Sequence, residues 1–162
     1  ALGLEPGGPN SSWTQPVPLV SITADPDMTM TIAGNGYANT FRYGPDFIAW
    51  TTRLVDDIQL DASEMVFVGY GVVAPEYDWN DYEGVDVQGK TVVMLVNDPG
   101  FATQDPALFN GNAMTYYGRW TYKYDEAARQ GAAGAIIIHD TLPAAYGWAT
   151  VENSWTGPQF NM

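Results

Sequence analysis

The spacing of apolar and polar residues predicts strands and a helix in the first third of the chain. Period-2 alternation of β-branched and polar residues predicts strands over Leu19–Ile22 and Met28–Ile32, which we expect to pair antiparallel. Gly34-Asn35-Gly36 predicts a turn into the extended segment Tyr37–Tyr43. A proline, an aspartate and apolar residues at helical spacing then predict a helix from about residue 45 to 55.

The second half of the chain predicts a strand, a helix and a strand in succession. Met65–Val73 has a strand-like composition, and Thr91–Val96 is a continuous apolar run typical of a buried strand. An apolar face formed by Trp120, Tyr124, Ala127 and Ala128, with Gly131 as a left-handed stop, predicts a helix. The apolar run Gly134–Ile138 follows as a second buried strand. The pattern alone therefore indicates a mixed α/β fold.

Composition excludes several classes of function. The 162 residues carry 19 acidic and six basic side chains, a formal charge of −13, so we expect neither nucleic acid nor a membrane as a partner. The chain has no cysteine and one histidine, which rules out thiolate zinc sites, disulfides and sites built on histidine pairs. The longest apolar run, Ala132–Ile138, is far shorter than the roughly 20 residues of a membrane span.

Three local patterns each have a functional and a structural interpretation. Gly69–Ala74 matches the glycine pattern of dinucleotide sites, but Pro75 follows where a helix is needed, so a strand is favoured. His139 and Asp140 are adjacent and point to opposite faces of a strand, so a structural histidine is favoured over a catalytic dyad. The third pattern is an acidic loop that offers weak calcium ligands, although its spacing fails the EF-hand pattern. Its candidate ligands are Asp78, Asp81 and Glu83.

Two sequence blocks in order resemble the protease-associated (PA) domain. The block Asp86–Val96 contains a V-x-G-K strand, and the block Tyr122–Ile137 contains a K-x-x-x-A-x-x-x-G-A helix that leads into a strand. With Val66–Gly71 and Asp81–Asp86, the chain is similar to the version inserted in secreted bacterial zinc aminopeptidases of the aminopeptidase Y and Streptomyces aminopeptidase superfamily. The resemblance covers about residues 55–160. Asn97–Gly100 replaces the Arg-Gly-x-Cys of the general domain, so redox features do not carry over.

The resemblance implies a β-rich α/β domain of the swivelling β/β/α type with two or three short flanking helices. Residues 55–162 would form the PA domain, and residues 25–54 would be connecting strands and a helix. Residues 1–24 would be a leader that contains the first strand of the parent peptidase domain, because Gly3–Pro6 and Gln15–Leu19 resemble that region. We expect the chain to be a fragment of such a peptidase, secreted or periplasmic.

The implied role is non-catalytic: a lid or interaction module over the active site of the parent peptidase. Two zinc ions are expected in the parent's catalytic domain and none in this chain, because one histidine cannot supply the ligand set and no ligand motif maps onto it. The expected partners are that catalytic domain and peptide or protein substrates. Candidate contact residues are Asn97, Asp98, Tyr116, Tyr117, Arg119 and Trp120.

Two other functions remain open from sequence. One is a free-standing carbohydrate- or calcium-dependent binding module that uses Trp79, Tyr82, Trp148 and the acidic loop. The other is a hydrolase that uses His139, which the composition disfavours. The aromatic residues of the stretch 101–120 suit ligand stacking, and they equally suit the packing of a long loop.

Overall fold

A computed structural model describes residues 3–161 and shows a mixed α/β protein. Helix and strand each account for about 23% of these residues, so the chain is not richer in strand than in helix. The strands are β1 (Val20–Ile22), β2 (Thr29–Gly34), β3 (Tyr37–Arg42), β4 (Met65–Phe67), β5 (Val73–Ala74), β6 (Trp79–Asn80), β7 (Thr91–Leu95), β8 (Gly134–Ile138) and β9 (Gln159–Asn161). The helices are α1 (Pro99–Thr103), α2 (Trp120–Arg129), α3 (Thr141–Ala144) and α4 (Trp148–Trp155).

The chain forms two compact units. One is Asp57–Thr150, and the other contains the described residues before and after that range. The predicted organisation instead placed boundaries after residues 24 and 54 and assigned everything from 55 onwards to one domain. Residues 1, 2 and 162, which the predicted domains include, lie outside the described residues.

In the discontinuous unit, the predicted strands form but their predicted pairing is wrong. β2 pairs antiparallel with β3 across the two-residue turn Asn35-Gly36, whose residues have φ of 51° and 82°. Such a turn fixes a local hairpin and confirms the turn predicted there. β1 pairs instead with β9, with Val20 opposite Asn161.

The helix predicted from about residue 45 to 55 does not form. Gly44 has φ of 91° and donates its N–H to the Phe47 carbonyl at 2.8 Å, so the chain turns sharply after β3. The aromatic residues whose spacing suggested a helix pack in another way, with Trp50 stacked on Trp155 at a centroid distance of 4.9 Å. Tertiary contacts between aromatic rings therefore override the local periodicity.

The unit Asp57–Thr150 is built on a three-stranded parallel sheet in the order β4-β7-β8. Thr91 of β7 lies opposite Met65 of β4 and Gly134 of β8. This arrangement confirms the predicted strand, helix and strand, with α2 in the crossover between β7 and β8. The predicted strand Met65–Val73 is shorter than expected, because β4 ends at Phe67 and the chain turns before β5.

The inner face of this sheet packs against α2. Val66, Val92, Met94, Ala135 and Ile137 alternate along the three strands and pack in one cluster with Ala127 of the helix. Full burial of side chains of this size contributes roughly 1.5–3 kcal/mol each. This cluster is the main core of the unit and holds the helix on the sheet.

The helices differ from expectation in number and orientation. Four α-helices occur among residues 3–161, rather than two or three, because α1 and α3 are single capped turns. The predicted stop of α2 is confirmed, since Gly131 has φ of 84°. The buried face of α2 is rotated from the predicted one and consists of Tyr122, Lys123, Glu126 and Ala127.

The glycine-rich segment after β4 does not open a helix. Gly69 and Gly71 have positive φ, and the chain continues into β5 and a 3-10 turn at Pro75–Tyr77. The glycines therefore lie in a turn and not in the predicted strand, and the helix that a dinucleotide site needs does not follow them. Within residues 3–161, none of the helices has the length and apolar character that crossing a membrane requires.

Candidate functional site at the carboxyl end of the parallel sheet

The loops after β4 and β7 bring buried polar groups together beside α2. The central group is Lys123, whose side chain is fully buried and whose Nζ donates to the Tyr70 carbonyl oxygen. Burial lowers the pKa of Lys123 to about 8, while the neighbouring Asp81 and Asp98 oppose that shift. The lysine is thus the buried positive centre of the loops at this end of the sheet.

Asp98 ties two loop elements together. Its Oδ1 accepts the Gly100 N–H at 3.0 Å and caps α1. Its Oδ2 accepts both the N–H and the hydroxyl of Thr115, each at 2.7 Å. Thr115 Oγ1 in turn accepts the Tyr117 N–H at the start of the 3-10 turn Tyr116–Gly118. One buried carboxylate therefore fixes the loop on which the exposed aromatic candidates lie.

Asn97 is the residue that turns the chain out of β7. It has φ of 71°, its Oδ1 accepts the Asp98 N–H at 2.7 Å, and its Nδ2 donates to the Pro143 carbonyl at 2.8 Å. Asn97 and Asp98 are both buried. The sequence placed them at a contact surface, whereas the structure places them in the interior, so we remove both from that surface.

Asp81 accepts hydrogen bonds from the segment between β4 and β5 and from the Trp79 side chain of β6. Its Oδ2 accepts the Tyr70 and Val72 N–H groups at 3.1 and 3.0 Å, and its Oδ1 accepts Trp79 Nε1 at 2.9 Å. Asp78 and Glu83 are exposed. In the described part of the chain, no three acidic or histidine side chains form a group that could hold a metal ion. Asp78, Asp81 and Glu83 therefore form no such group in the described part of the chain.

The remaining contact candidates form an exposed ridge, which we define as Tyr116, Tyr117, Arg119 and Trp120. Tyr116 is 63% exposed, Arg119 is exposed, and the other two are half-buried. Arg119 is the N-terminal cap residue of α2, and its N–H donates to the Tyr116 carbonyl at 3.0 Å. The ridge therefore joins a 3-10 turn directly to the first residue of α2.

Glu76 fixes the phenol of Tyr117 on the ridge. The Tyr117 hydroxyl donates to Glu76 Oε1 at 2.6 Å. This hydrogen bond is the main reason that the pKa of Tyr117 is raised to about 12, and burial adds to it. Sequence reasoning missed this pair because 41 positions separate the two residues. No local pattern signals such a contact.

An aromatic cluster supports the ridge from below. Phe109 is fully buried, and its ring lies 4.3 Å from that of Tyr77, 5.8 Å from Trp79 and 5.7 Å from Tyr117. Edge-to-face contacts of this kind add about 0.5–1.5 kcal/mol each beyond burial. The aromatic residues of the stretch 101–120 thus divide into a buried packing group and the exposed ridge.

Tyr122 and Lys123 were missed as interior residues. The Tyr122 hydroxyl accepts the Val73 N–H at 3.0 Å and donates to the Val73 carbonyl at 3.1 Å, so it extends the edge of β5. A lysine four positions before the core residue Ala127 is the signal that could have placed Lys123 on the inner face. The sequence pattern predicts Trp120, Tyr124, Ala127 and Ala128 on that face, and of these Ala127 is buried there.

His139 lies after β8 in a structural contact. Its Nε2 donates to the Tyr146 carbonyl at 3.0 Å, and its ring lies 5.5 Å from that of Tyr146 and 5.9 Å from that of Trp148. Asp140 accepts the Leu142 N–H at 3.2 Å and caps α3. Histidine and aspartate thus have separate partners, as expected from their adjacent positions.

The residues predicted for a carbohydrate- or calcium-dependent binding module differ in their accessibility to a ligand. Tyr82 is buried in the core, so its ring is not available to a ligand. Trp79 lines a shallow, open depression together with Asp78 and Glu83. This depression suits the alternative of a binding module.

The chain matches no known family model, no curated protein and no solved structure.

Proposed function

We propose that this chain is a non-catalytic protease-associated domain of a secreted zinc aminopeptidase, where it controls peptide access to the active site. The observation that carries the proposal is that the polar side chains at the carboxyl end of the sheet are hydrogen-bonded to neighbouring parts of the same chain. Asp81, Asp98 and Asn97 accept hydrogen bonds from backbone N–H groups of their own and neighbouring loops, and Asp98 also accepts the Thr115 hydroxyl. Groups engaged in this way hold the loops in shape, as a scaffold requires.

The placement of the two sequence blocks supports the PA assignment. The V-x-G-K block enters the central strand through Lys90, and the helix block places Lys123 and Ala127 on the buried face of α2. The strand that follows, β8, is parallel to β7. This order of strand, helix and parallel strand is the order that the resemblance implies.

In this proposal the ridge is the edge that meets peptide. Tyr116 and Trp120 offer aromatic faces for stacking, and the exposed Arg119 guanidinium can donate to a peptide carbonyl or carboxylate. Buried Asp98 keeps this edge rigid through Thr115. A rigid edge that closes over a cleft excludes water and selects peptides by shape. The zinc ions and the residues that activate water belong to the parent's catalytic domain.

The first test asks whether the 162-residue chain has any catalytic chemistry of its own. Zinc content is measured by mass spectrometry, and aminopeptidase activity is assayed on leucine p-nitroanilide with zinc added. We expect neither bound zinc nor turnover. Stoichiometric zinc with turnover would overturn the proposal, because the catalytic ligands would then lie in this chain.

The second test concerns access in the peptidase that carries this domain. Arg119→Ala should raise KM and change the preference among peptides of different length, while kcat on a minimal chromogenic substrate stays the same. The matched control is Leu142→Ala, which truncates an 80% exposed side chain outside the ridge. Kinetics that Arg119→Ala leaves unchanged across all peptide lengths would remove the ridge from the proposal.

A calcium- or carbohydrate-dependent binding module is the alternative, supported by the depression beside Trp79. Calorimetric titration with calcium chloride and with soluble polysaccharides distinguishes the two functions. Ligand binding to the folded state raises the unfolding temperature in proportion to the logarithm of ligand concentration. We expect no heat and no shift in unfolding temperature. A saturable shift that Trp79→Ala abolishes would favour the alternative.

A further inference from the structure

The parallel sheet of the unit Asp57–Thr150 packs against α2 on its inner face. Side chains alternate along a strand, so the residues next to each inner-face residue in the same strand point to the opposite face. This outer face consists of Met65, Phe67, Val93, Leu95, Ile136 and Ile138, which are brought together by the register of the three strands. Parallel sheets occur almost only with both faces covered. Apolar side chains that are exposed on the outer face, at its two edge strands, therefore call for a covering partner.

The outer face is exposed at both edges of the sheet. At the amino end of the strands, Leu60 adds a further apolar side chain to it. Phe67 on β4 is 60% exposed, and Ile138 on β8 is 44% exposed. At the amino end, a Cβ atom on Gly134 would lie 2.7 Å from Leu60 Cδ1, so the leucine occupies the space that the glycine leaves. Leu60 itself is 51% exposed. Exposed apolar residues that share one face of a sheet mark an interaction site more often than scattered exposed residues do.

The chain that borders the outer face is acidic. Exposed carboxylates lie close to Leu60 in sequence and follow β8; they are Asp57, Asp61 and Asp140. The one basic residue in these bordering segments is Lys90, which is already paired with Glu64 at 3.1 Å and with Asp86 at 3.7 Å. An apolar surface with an acidic border suits a partner of opposite charge.

The charge of the whole unit argues against a second copy as that partner. Residues 57–150 contain 13 acidic and four basic side chains, a formal charge of −9. Two such faces would bring like charges together at the border of the interface, which costs binding energy and slows association. A surface that combines apolar side chains with a lysine and arginine border carries no such penalty.

We propose that the outer face of the parallel sheet is a docking surface for a protein partner whose apolar patch is bordered by lysine and arginine. Phe67 and Ile138 are the anchors at its two edges, and the acidic border sets the partner's charge. The outer face contains no residue of the ridge, so docking at this face does not depend on whether the domain controls peptide access.

The test uses two synthetic amphipathic helical peptides as probes of the full 162-residue chain. One has leucine on one face and lysine around it, and the other has glutamate at every lysine position. Binding is measured by calorimetry at low and at physiological salt. We expect the leucine–lysine peptide to bind and the leucine–glutamate peptide not to bind. Binding of both peptides with equal affinity would overturn the charge assignment.

The variant Phe67→Asp separates docking from simple charge attraction. It adds a negative charge and removes an apolar anchor, so pure attraction predicts tighter binding of the leucine–lysine peptide, whereas docking predicts at least tenfold weaker binding. Leu142→Asp adds the same charge at an exposed site outside the sheet and should not weaken binding. Equal or tighter binding by Phe67→Asp would overturn the proposal. If Phe67→Asp fails to fold by circular dichroism, Ile138→Asp on the other edge strand makes the same comparison.

Sedimentation velocity of the native chain over a wide concentration range tests the second-copy alternative. We expect a single species whose mass does not depend on concentration. A dimer that Phe67→Asp dissociates, with Leu142→Asp still dimeric, would show that a second copy occupies the face and would overturn the proposal.

Discussion

Replacing Asp98 with asparagine tests whether the loops at the carboxyl end of the sheet depend on one buried carboxylate. Asparagine has nearly the same shape but carries one oxygen and one NH2 group. In the native chain, one Asp98 oxygen faces the Gly100 N–H and the other faces two donors of Thr115. Whichever way the amide is oriented, its NH2 group therefore faces a backbone N–H group.

The expected loss follows from these contacts. A hydrogen bond to a charged group contributes about 1.5–3 kcal/mol, and a buried donor left without an acceptor costs a further 1–3 kcal/mol. The variant also removes one of the two carboxylates that stabilise the ammonium group of Lys123. We expect Asp98→Asn to lower the free energy of unfolding by about 4 kcal/mol at pH 7.

The assay is urea denaturation of the 162-residue chain, followed by circular dichroism and fluorescence at pH 7 and pH 9.5. Because the pKa of Lys123 is about 8 in the folded protein, its ammonium is largely neutral at pH 9.5, and the loss should be smaller there. The control is Asp105→Asn, since exposed Asp105 accepts one N–H, that of Ala107, at 2.9 Å and should cost less than about 0.5 kcal/mol. A loss below about 1.5 kcal/mol, or an equal loss at both pH values, would refute the reasoning.

Three further predictions rest on single contacts. The pKa of Lys123 is lower in the folded chain than the 10.5 of an exposed lysine, so the unfolded chain binds the extra proton between pH 8 and 10.5. The free energy of unfolding measured in urea should therefore rise by about 2 kcal/mol from pH 8 to 9.5. Lys123→Met should abolish this rise. Gly71→Ala should lower the free energy of unfolding, measured in urea, by about 2 kcal/mol, because Gly71 has φ of 65° and a Cβ there would lie 2.9 Å from Met94 Sδ. A decrease of less than about 0.5 kcal/mol would contradict this prediction. Glu76→Gln should lower the pKa of Tyr117 from about 12, measured as phenolate absorbance in an alkaline titration; an unchanged titration curve would show that the hydrogen bond does not set it.

The central strand, helix and strand were predictable because their signals are local. A strand buried on both faces, or nearly so, reads as a continuous apolar run, as in Thr91–Val96. Gly131 marks the end of α2 because a left-handed residue there suits glycine. By contrast, the partner of β1 is β9, and no local pattern links segments so far apart. Two short helices were missed because each is a single turn capped by an aspartate, Asp98 or Asp140.

The candidate site was partly predictable. Tyr116 and Arg119 are exposed, as a contact surface requires. Asn97 and Asp98 are not, because a polar residue after a buried strand can either face solvent or turn inward to bind the next loop. Only the positions of Thr115 and Gly100 decide between these two outcomes, and both belong to tertiary structure.

The pairing of β1 with β9 also determines the order in which the chain can fold during synthesis. Val20 cannot pair until Asn161, its partner in β9, has been synthesised, 141 residues later. At about 5–20 residues per second, that delay is on the order of ten seconds. Every strand of the parallel sheet leaves the ribosome within this interval. The inserted unit can therefore fold first, while β1 remains an unpaired edge that a chaperone or another nascent chain could bind.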